Sequence, residues 1–268
     1  MLHPKTALVA SALLLLMASP IAAQAQQRED EDSGNGWGIG LGVAIRDTLY
    51  AGETNHVQAF PYISYEGERF FVKGPMIGYK IVDGEMFDLN GFVAARLDGM
   101  DAKDMGAAAL ALNGINRNLL EDRKASADAG LSASFGTEAI GEFELDVRGD
   151  ITGTSDGYQA SLDYRYPFQV GPVTLIPSIG ATAMSKELAN YYYGTLPKEV
   201  ARGVIDYRPG QVTIPHAGIT AVLPMGSKWV GIAGLNADRY PTAITSSPLI
   251  EKDTEIVPSL FVGAIRKF

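Results

Sequence analysis

Glu142-Phe143-Glu144-Leu145-Asp146-Val147-Arg148-Gly149-Asp150-Ile151-Thr152 is the stretch whose reading decides the fold. Phe143, Leu145, Val147 and Ile151 alternate with Glu142, Glu144, Asp146, Arg148 and Asp150, a period of two that belongs to a β-strand with one apolar and one ionic face. Beyond the turn signal Ser155-Asp156-Gly157 the pattern repeats. Tyr158, Ala160, Leu162, Tyr164 and Tyr166 oppose Gln159, Ser161, Asp163 and Arg165, and the two runs read as a hairpin. If its polar face lines a lumen, Arg148 and Arg165 share the field of Glu144, Asp146 and Asp163. Turned towards lipid, one arginine near the bilayer midplane would cost about 2 to 4 kcal/mol.

The pattern extends in both directions. Trp37, Ile39, Leu41, Val43 and Ile45 alternate with Gly38, Gly40, Gly42, Ala44 and Arg46. Further alternating or apolar runs occupy Val57 to Tyr65, Arg69 to Val82, Phe87 to Leu97, Lys124 to Gly136, Val173 to Met184, Gln211 to Leu223, Lys228 to Asp238 and Ile256 to Phe268. Most are near the roughly 9 to 11 residues with which a tilted strand crosses a bilayer. Beyond the N-terminal region no segment is apolar enough to span as a helix. A closed barrel is the other structure that satisfies every backbone group in lipid.

The expectation is therefore an all-β chain, an antiparallel transmembrane β-barrel. Eleven runs are an odd number, whereas bacterial single-chain barrels have an even count with both termini in the periplasm. Counting back from a periplasmic Phe268 puts the long connections 98–123, 185–210 and 239–255 outside and the short turns near 139, 169 and 225 inside. The discrepancy then lies before Leu97. Arg69 to Val82, interrupted by Gly74-Pro75, reads as two short strands, giving twelve, with ten as the fallback. Trp37, Tyr166, Phe168, Trp229 and Phe268 sit near strand ends, where aromatic girdles form. A soluble β-sandwich would share the alternation, but not the export signal, the one-sided long loops or the aromatic last residue.

That export signal is the apolar run Ala7 to Ala18 behind Lys5, followed by Pro20 and the small-residue site Ala23-Gln24-Ala25. It reads as a signal peptide over residues 1–25, cleaved after Ala25, which leaves 26–268 as one barrel domain. Removing Lys5 leaves 21 basic and 31 acidic side chains, a net charge of −10. An acidic surface argues against nucleic-acid binding, which needs Lys and Arg to neutralise phosphates. The chain has no cysteine, which excludes disulfides, thiolate metal sites, cysteine nucleophiles and a lipid-modified cysteine.

Chemistry finds little support. His56 and His216 are the only histidines after the signal, too few for a zinc-type ligand set. His216 could orient a serine or pair with a carboxylate, as a barrel hydrolase would require, but no nucleophile motif stands beside it and it is read as an interfacial or lumenal structural histidine. Of the carboxylates at Glu142, Glu144, Asp146 and Asp150, those two residues apart stand about 7 Å from each other along a strand, too splayed for one calcium ion. They read as a salt-bridged lumen wall. Gly38, Gly40 and Gly42 look like a nucleotide loop, but their apolar neighbours mark a strand in which small residues permit close interior packing. No cofactor is expected, and an outer-membrane enzyme is the remote reading. Tyr191, Tyr192 and Tyr193 read as a girdle at a strand end or as an outer-loop recognition surface. Met105 to Leu112 reads as a short helix that caps or plugs the barrel.

Pro61-Tyr62-Ile63-Ser64-Tyr65-Glu66-Gly67-Glu68-Arg69-Phe70-Phe71, followed by Gly74-Pro75-Met76-Ile77-Gly78-Tyr79, resembles the N-terminal signature of the MipA/OmpV family, the MltA-interacting outer-membrane proteins. Asp128-Ala129-Gly130-Leu131, Asn190-Tyr191-Tyr192-Tyr193-Gly194, Ser247-Pro248-Leu249 and the terminal Phe268 resemble the rest of the pattern. The resemblance spans nearly all of the mature chain. It implies a barrel in the outer membrane of a Gram-negative bacterium, bathed in outer-membrane lipid. The assembly machinery would read its last strand through Phe268. It also implies a non-enzymatic scaffold that joins a lytic transglycosylase to a penicillin-binding synthase. Other family roles make a surface receptor or adhesin an alternative, and the ionic lumen face suggests a small-solute channel. The chain departs from the family at Arg266, where an aromatic residue is usual and where a guanidinium would have to snorkel to headgroups.

Overall fold

The computed structural model describes residues 36–53, 56–137 and 139–268, with the backbone alone at His56. The expected signal peptide and its cleavage site lie outside the described residues. Twelve antiparallel strands close on themselves. They are β1 Gly36–Arg46, β2 His56–Glu66, β3 Phe70–Lys73, β4 Met76–Asp83, β5 Phe87–Arg96, β6 Ser126–Thr137 and β7 Gly141–Asp150. Then follow β8, β9 Val173–Met184, β10 Val212–Met225, β11 Trp229–Arg239 and β12 Ile256–Lys267. Strand β8 runs Tyr158–Arg165 and continues as Phe168–Val170. The register against β9 is the same on both sides of the break, Arg165 opposite Ser178 and Phe168 opposite Leu175. The interruption falls at Pro167, which has no N–H to give to the ladder.

The eleven runs become twelve strands at Arg69 to Val82, which folds as the short hairpin β3–β4. Gly74 takes a positive φ of 55° at its turn, a conformation that glycine adopts without strain. Strand β12 pairs with β1 from Gly38–Lys267 to Arg46–Ser259, which closes the ring.

Period two sends the apolar set outward. Ile39, Leu41, Ile77, Val93, Leu131, Leu145, Leu162, Ile179, Ile219, Leu235 and Val262 are exposed around the wall, the surface a soluble protein would bury and a bilayer covers. At the end where short turns join the strands, outward aromatics pair across strands. Trp37 meets Tyr65 at 4.9 Å between ring centroids, Phe70 meets Tyr79 at 5.1 Å and Phe143 meets Tyr164 at 4.7 Å. Trp229, Phe168 and Phe268 are exposed at the same end, so the girdle is concentrated at the turn end.

The long connections 97–125, 185–211 and 240–255 gather at the other end, which is the extracellular end under the general rule for such barrels. They fold into a cap with its own apolar core. One cluster joins Leu49, Ala189, Val212, Ile214, Tyr240, Ile244, Ile250 and Val257. A second joins Ala51, Met100, Met105, Leu110, Ile115, Val204 and Leu249. Its helices are α1 Ala107–Leu112, α2 Lys186–Tyr193, α3 Pro197–Ala201 and α4 Thr242–Thr245. Helix α1 lies within the expected Met105 to Leu112 segment, and α2 starts at Ser185, whose hydroxyl accepts from the Leu188 N–H.

Candidate functional site

Inward-facing positions alternate with the lipid-facing ones, so β7 and β8 present Glu144, Asp146, Arg148, Asp163 and Arg165 to a cavity of about 390 Å³ in the barrel interior. The wall is ion-paired along its length. Arg165 binds the Glu144 carboxylate and lies 3.8 Å from Glu142. Arg148 donates through Nε to Asp146 at 3.0 Å and places its guanidinium 5.9 Å from the Phe92 ring centroid. Arg96, from β5, binds Asp128 and donates to Gln159 at 2.7 Å and Asp98 at 3.2 Å.

On the opposite wall Arg46 donates to the Tyr240 hydroxyl at 2.7 Å and to Asp238 at 3.4 Å. His216 Nε2 lies 2.8 Å from Asp163 Oδ1, which joins β10 to β8 across β9. Gly180 on β9 makes that contact sterically open, because a Cβ there would sit 2.6 Å from both Asp163 Oδ1 and His216 Nε2. His216 thus meets a carboxylate, and among the described residues its side chain hydrogen-bonds to Asp163 and to no hydroxyl nucleophile. Among the described residues no cluster of three or more His, Cys, Asp or Glu has metal-ligand geometry.

Two of the seven polar positions singled out on β7 and β8 lie outside this cavity. Glu142 is buried near the turn end, beneath the cavity lining. Asp150 ends β7 and folds its carboxylate into the loop instead, accepting from the N–H groups of Thr152 at 2.8 Å and Asp156 at 3.2 Å. The loop's orphan donors outcompete the lumen for that side chain.

The tyrosine run corrects the girdle reading. Tyr191, Tyr192 and Tyr193 lie on cap helix α2, not at a strand end. The Tyr191 hydroxyl accepts from the Lys124 N–H at 2.8 Å and its carbonyl accepts from Arg123 Nε at 2.6 Å. Tyr192 is 2 % exposed, and Tyr193 stacks edge-on to Tyr240 with ring centroids 6.0 Å apart. Burial raises the pKa of the Tyr193 and Tyr50 phenols well above the ordinary tyrosine value, so both stay neutral inside the cap.

From the cavity lining towards the turns, the interior fills with aromatic rings laid over glycines. Phe60, Phe71, Phe92 and Phe261 stand directly opposite Gly42, Gly78, Gly130 and Gly234 on the neighbouring strands. A Cβ at Gly78 or Gly234 would meet the ring at 2.0 or 2.2 Å. Ile176, Val222 and Val230 complete an apolar floor near the turns. These glycine and phenylalanine partners were invisible to period-two reading, which gives the face of a residue but not its opposite number.

At the closing seam Phe268 donates its N–H to the Trp37 carbonyl at 2.9 Å. Arg266 faces outward between Trp229 and Ile39 and lays its guanidinium 4.9 Å from the Phe268 ring centroid. The arginine in the aromatic position is thus placed over the ring that follows it.

The family model described as MltA-interacting protein MipA matches residues 39–268. YiaT of Escherichia coli (strain K12) is 26% identical over 214 residues, covering 78% of this chain and 82% of that protein. The MltA-interacting protein of the same strain is 27% identical over 213 residues with the same coverage. Outer membrane protein OmpV of Vibrio cholerae is 26% identical over 134 residues, 49% of this chain and 51% of OmpV. Among solved structures the NanC porin aligns with a TM-score of 0.41 at 7% identity, covering 87% of this chain and 99% of NanC. With an apolar belt around a closed barrel and relatives named as outer membrane proteins, this is an outer-membrane barrel, and the chain belongs to the MltA-interacting protein MipA family.

Proposed function

We propose that the protein is a non-enzymatic envelope scaffold that holds a lytic transglycosylase beside a penicillin-binding synthase. The observation that carries this reading is the similarity to the MltA-interacting protein across 78% of the chain. The cap agrees with it, since two apolar clusters fill the extracellular end and a scaffold needs no wide pore. Its partners act on peptidoglycan and would meet the turn end, where Glu68, Glu85, Met86 and Ile140 are exposed. Purification from detergent-solubilised membranes of the native host tests the proposal. Co-recovery of a transglycosylase and a synthase, abolished by replacing the turns around Glu68 and Glu85, is the expected result.

A small-solute channel or surface receptor is the second reading, and the ionic cavity favours it. Solute flux in proteoliposomes, with neither enzyme recovered from membranes, would replace the scaffold by the channel. Binding of host surfaces by intact cells, lost on deleting the cap loops, would indicate an adhesin.

A further inference from the structure

The hairpin β3–β4 is too short for the wall it belongs to. Strand β2 pairs with β1 along its whole length, from Gly36–Glu66 to Arg46–His56. On its other side it pairs with β3 only from Glu66–Phe71 to Ser64–Lys73. The last bond on that side runs from the Gly74 N–H to the Ile63 carbonyl at 2.9 Å. Among the described residues no strand takes the edge above it. Because Ile63 bonds towards β3, period two turns the backbone groups of Val57, Ala59 and Pro61 the same way. Pro61, which has no N–H, stands where the pairing stops, the usual place for a proline in a sheet.

This notch is at lipid level. The outward residues on the same rungs are apolar, Val57 opposite Ile45, Ala59 opposite Val43 and Pro61 opposite Leu41. Hydrocarbon cannot satisfy peptide groups, so an open strand edge at that depth is stable only where it borders water. Water is available from the cavity, whose lining includes Gln58 and Phe60 on one bank of the notch and Ala95, Arg96 and Leu97 on the other. The cap covers the cavity from above and the phenylalanine and aliphatic floor lies below it.

We propose that the notch is a side portal, and that the cavity takes from the outer leaflet a small amphiphile with an apolar tail and a protonated amine head. A molecule entering from the side must first dissolve in the membrane, which requires the tail. Phe60, Phe261 and Ala44 line the near part of the cavity and suit it. An unmet carboxylate oxygen calls for the head. Leaving Glu53 aside, six acidic side chains among the lining residues stand against four arginines and His216, and each arginine already binds a carboxylate. Asp146 is 3 % exposed and its Oδ2 has no hydrogen-bond partner among the described residues. Arg96 Nε is likewise without a partner, but its guanidinium is held by Asp128, Asp98 and Gln159, so what Asp146 Oδ2 would accept from is a cationic N–H brought in by the ligand.

The portal is tested with the full barrel in lipid nanodiscs, using its lack of cysteine as the background. Ala59→Cys and Val43→Cys sit on one rung and both face outward. A membrane-impermeant charged maleimide should label the first at least about tenfold faster, because only that position borders the wet notch. Equal rates would remove the portal. The ligand class is tested by calorimetric titration with octylamine, octanol and octanoate, three heads on one tail. Octylamine should bind tightest, and Asp146→Asn should weaken it by about tenfold or more while leaving octanol unchanged. Octanoate binding as tightly as octylamine, or no loss in Asp146→Asn, would overturn the amine assignment. The scaffold reading stands or falls separately, on recovery of the two enzymes.

Discussion

Arg123 and Glu199 form a fork-to-fork ion pair in the cap with neither side chain exposed at all, Nη1 to Oε1 at 2.7 Å and Nη2 to Oε2 at 3.0 Å. The pair joins connection 97–125 to connection 185–211. Its remaining capacity is used: Arg123 donates to the carbonyls of Tyr191, Glu121 and Gly194, and Glu199 accepts from the N–H groups of Glu121 and Leu196. A buried pair of this kind is costly to break from one side, by about 3 to 5 kcal/mol, since the surviving charge stays buried. Glu199→Gln or Arg123→Met should therefore loosen the cap while the barrel persists. Hydrogen exchange across 97–125 and 185–211 should rise by orders of magnitude, with heat-modifiable gel mobility unchanged. The double replacement Arg123→Met with Glu199→Leu should be milder than either single change.

The rings packed over glycines make a second prediction. Gly78→Val and Gly234→Val force a side chain into the Phe71 and Phe261 rings, a steric conflict worth about 1 to 3 kcal/mol. Removing the ring leaves a cavity instead, and Phe261→Ala should cost about 3 to 5 kcal/mol. Restoring space for the new side chain should recover part of the loss, so Gly234→Val with Phe261→Ala should be more stable than the sum of the two effects. Urea midpoints in detergent micelles read all three.

Much of this fold was legible because membrane strands report their own burial. The alternation at Glu142 to Thr152 gives the face of each residue, and Gly74-Pro75 marks the turn that turns eleven runs into twelve strands. The grouping of the long connections at one end followed from their length. What could not be read was anything set by partners distant in sequence. Period two shows that Gly234 faces inward, yet only the register places Phe261 against it. Tyr191 to Tyr193 carry a helix whose burial depends on Arg123 and Tyr240. Asp150 continues the polar face perfectly in sequence, and its carboxylate is captured by the loop that follows.

The buried cap phenols give a pH dependence. Tyr50 donates its hydroxyl to the Tyr192 carbonyl at 3.0 Å, and burial raises its pKa above the ordinary value of 10.0, as it does for Tyr193. An acid whose folded pKa is raised favours folding in its neutral form, so the contribution is complete below the unfolded pKa. It is lost progressively as pH rises above that value. The cap should stay closed through neutral pH and open above about pH 10. Ultraviolet titration should show these two phenols ionising late and together with cap opening, and Tyr50→Phe should move the opening to higher pH. Ionisation of all tyrosines at the ordinary value, with the cap still protected from exchange, would contradict the assignment.

Phe268 contributes differently to the finished barrel and to its assembly. In the folded state its ring meets the Arg266 guanidinium at 4.9 Å on an exposed surface, a contact worth about 0.5 to 1 kcal/mol. Its backbone bond to Trp37 survives any side-chain change. Phe268→Ala should therefore shift the thermal unfolding of assembled barrels by only a few degrees. If the ring is instead the group read during insertion, the fraction of chain that reaches the heat-modifiable form in cells should fall several-fold. Arg266→Ala separates the two effects, since it removes the same folded-state contact while leaving the terminal ring available. Equal losses of assembly in both variants would mean that Phe268 acts through the seam alone, and a loss confined to Phe268→Ala would identify the ring itself as the signal.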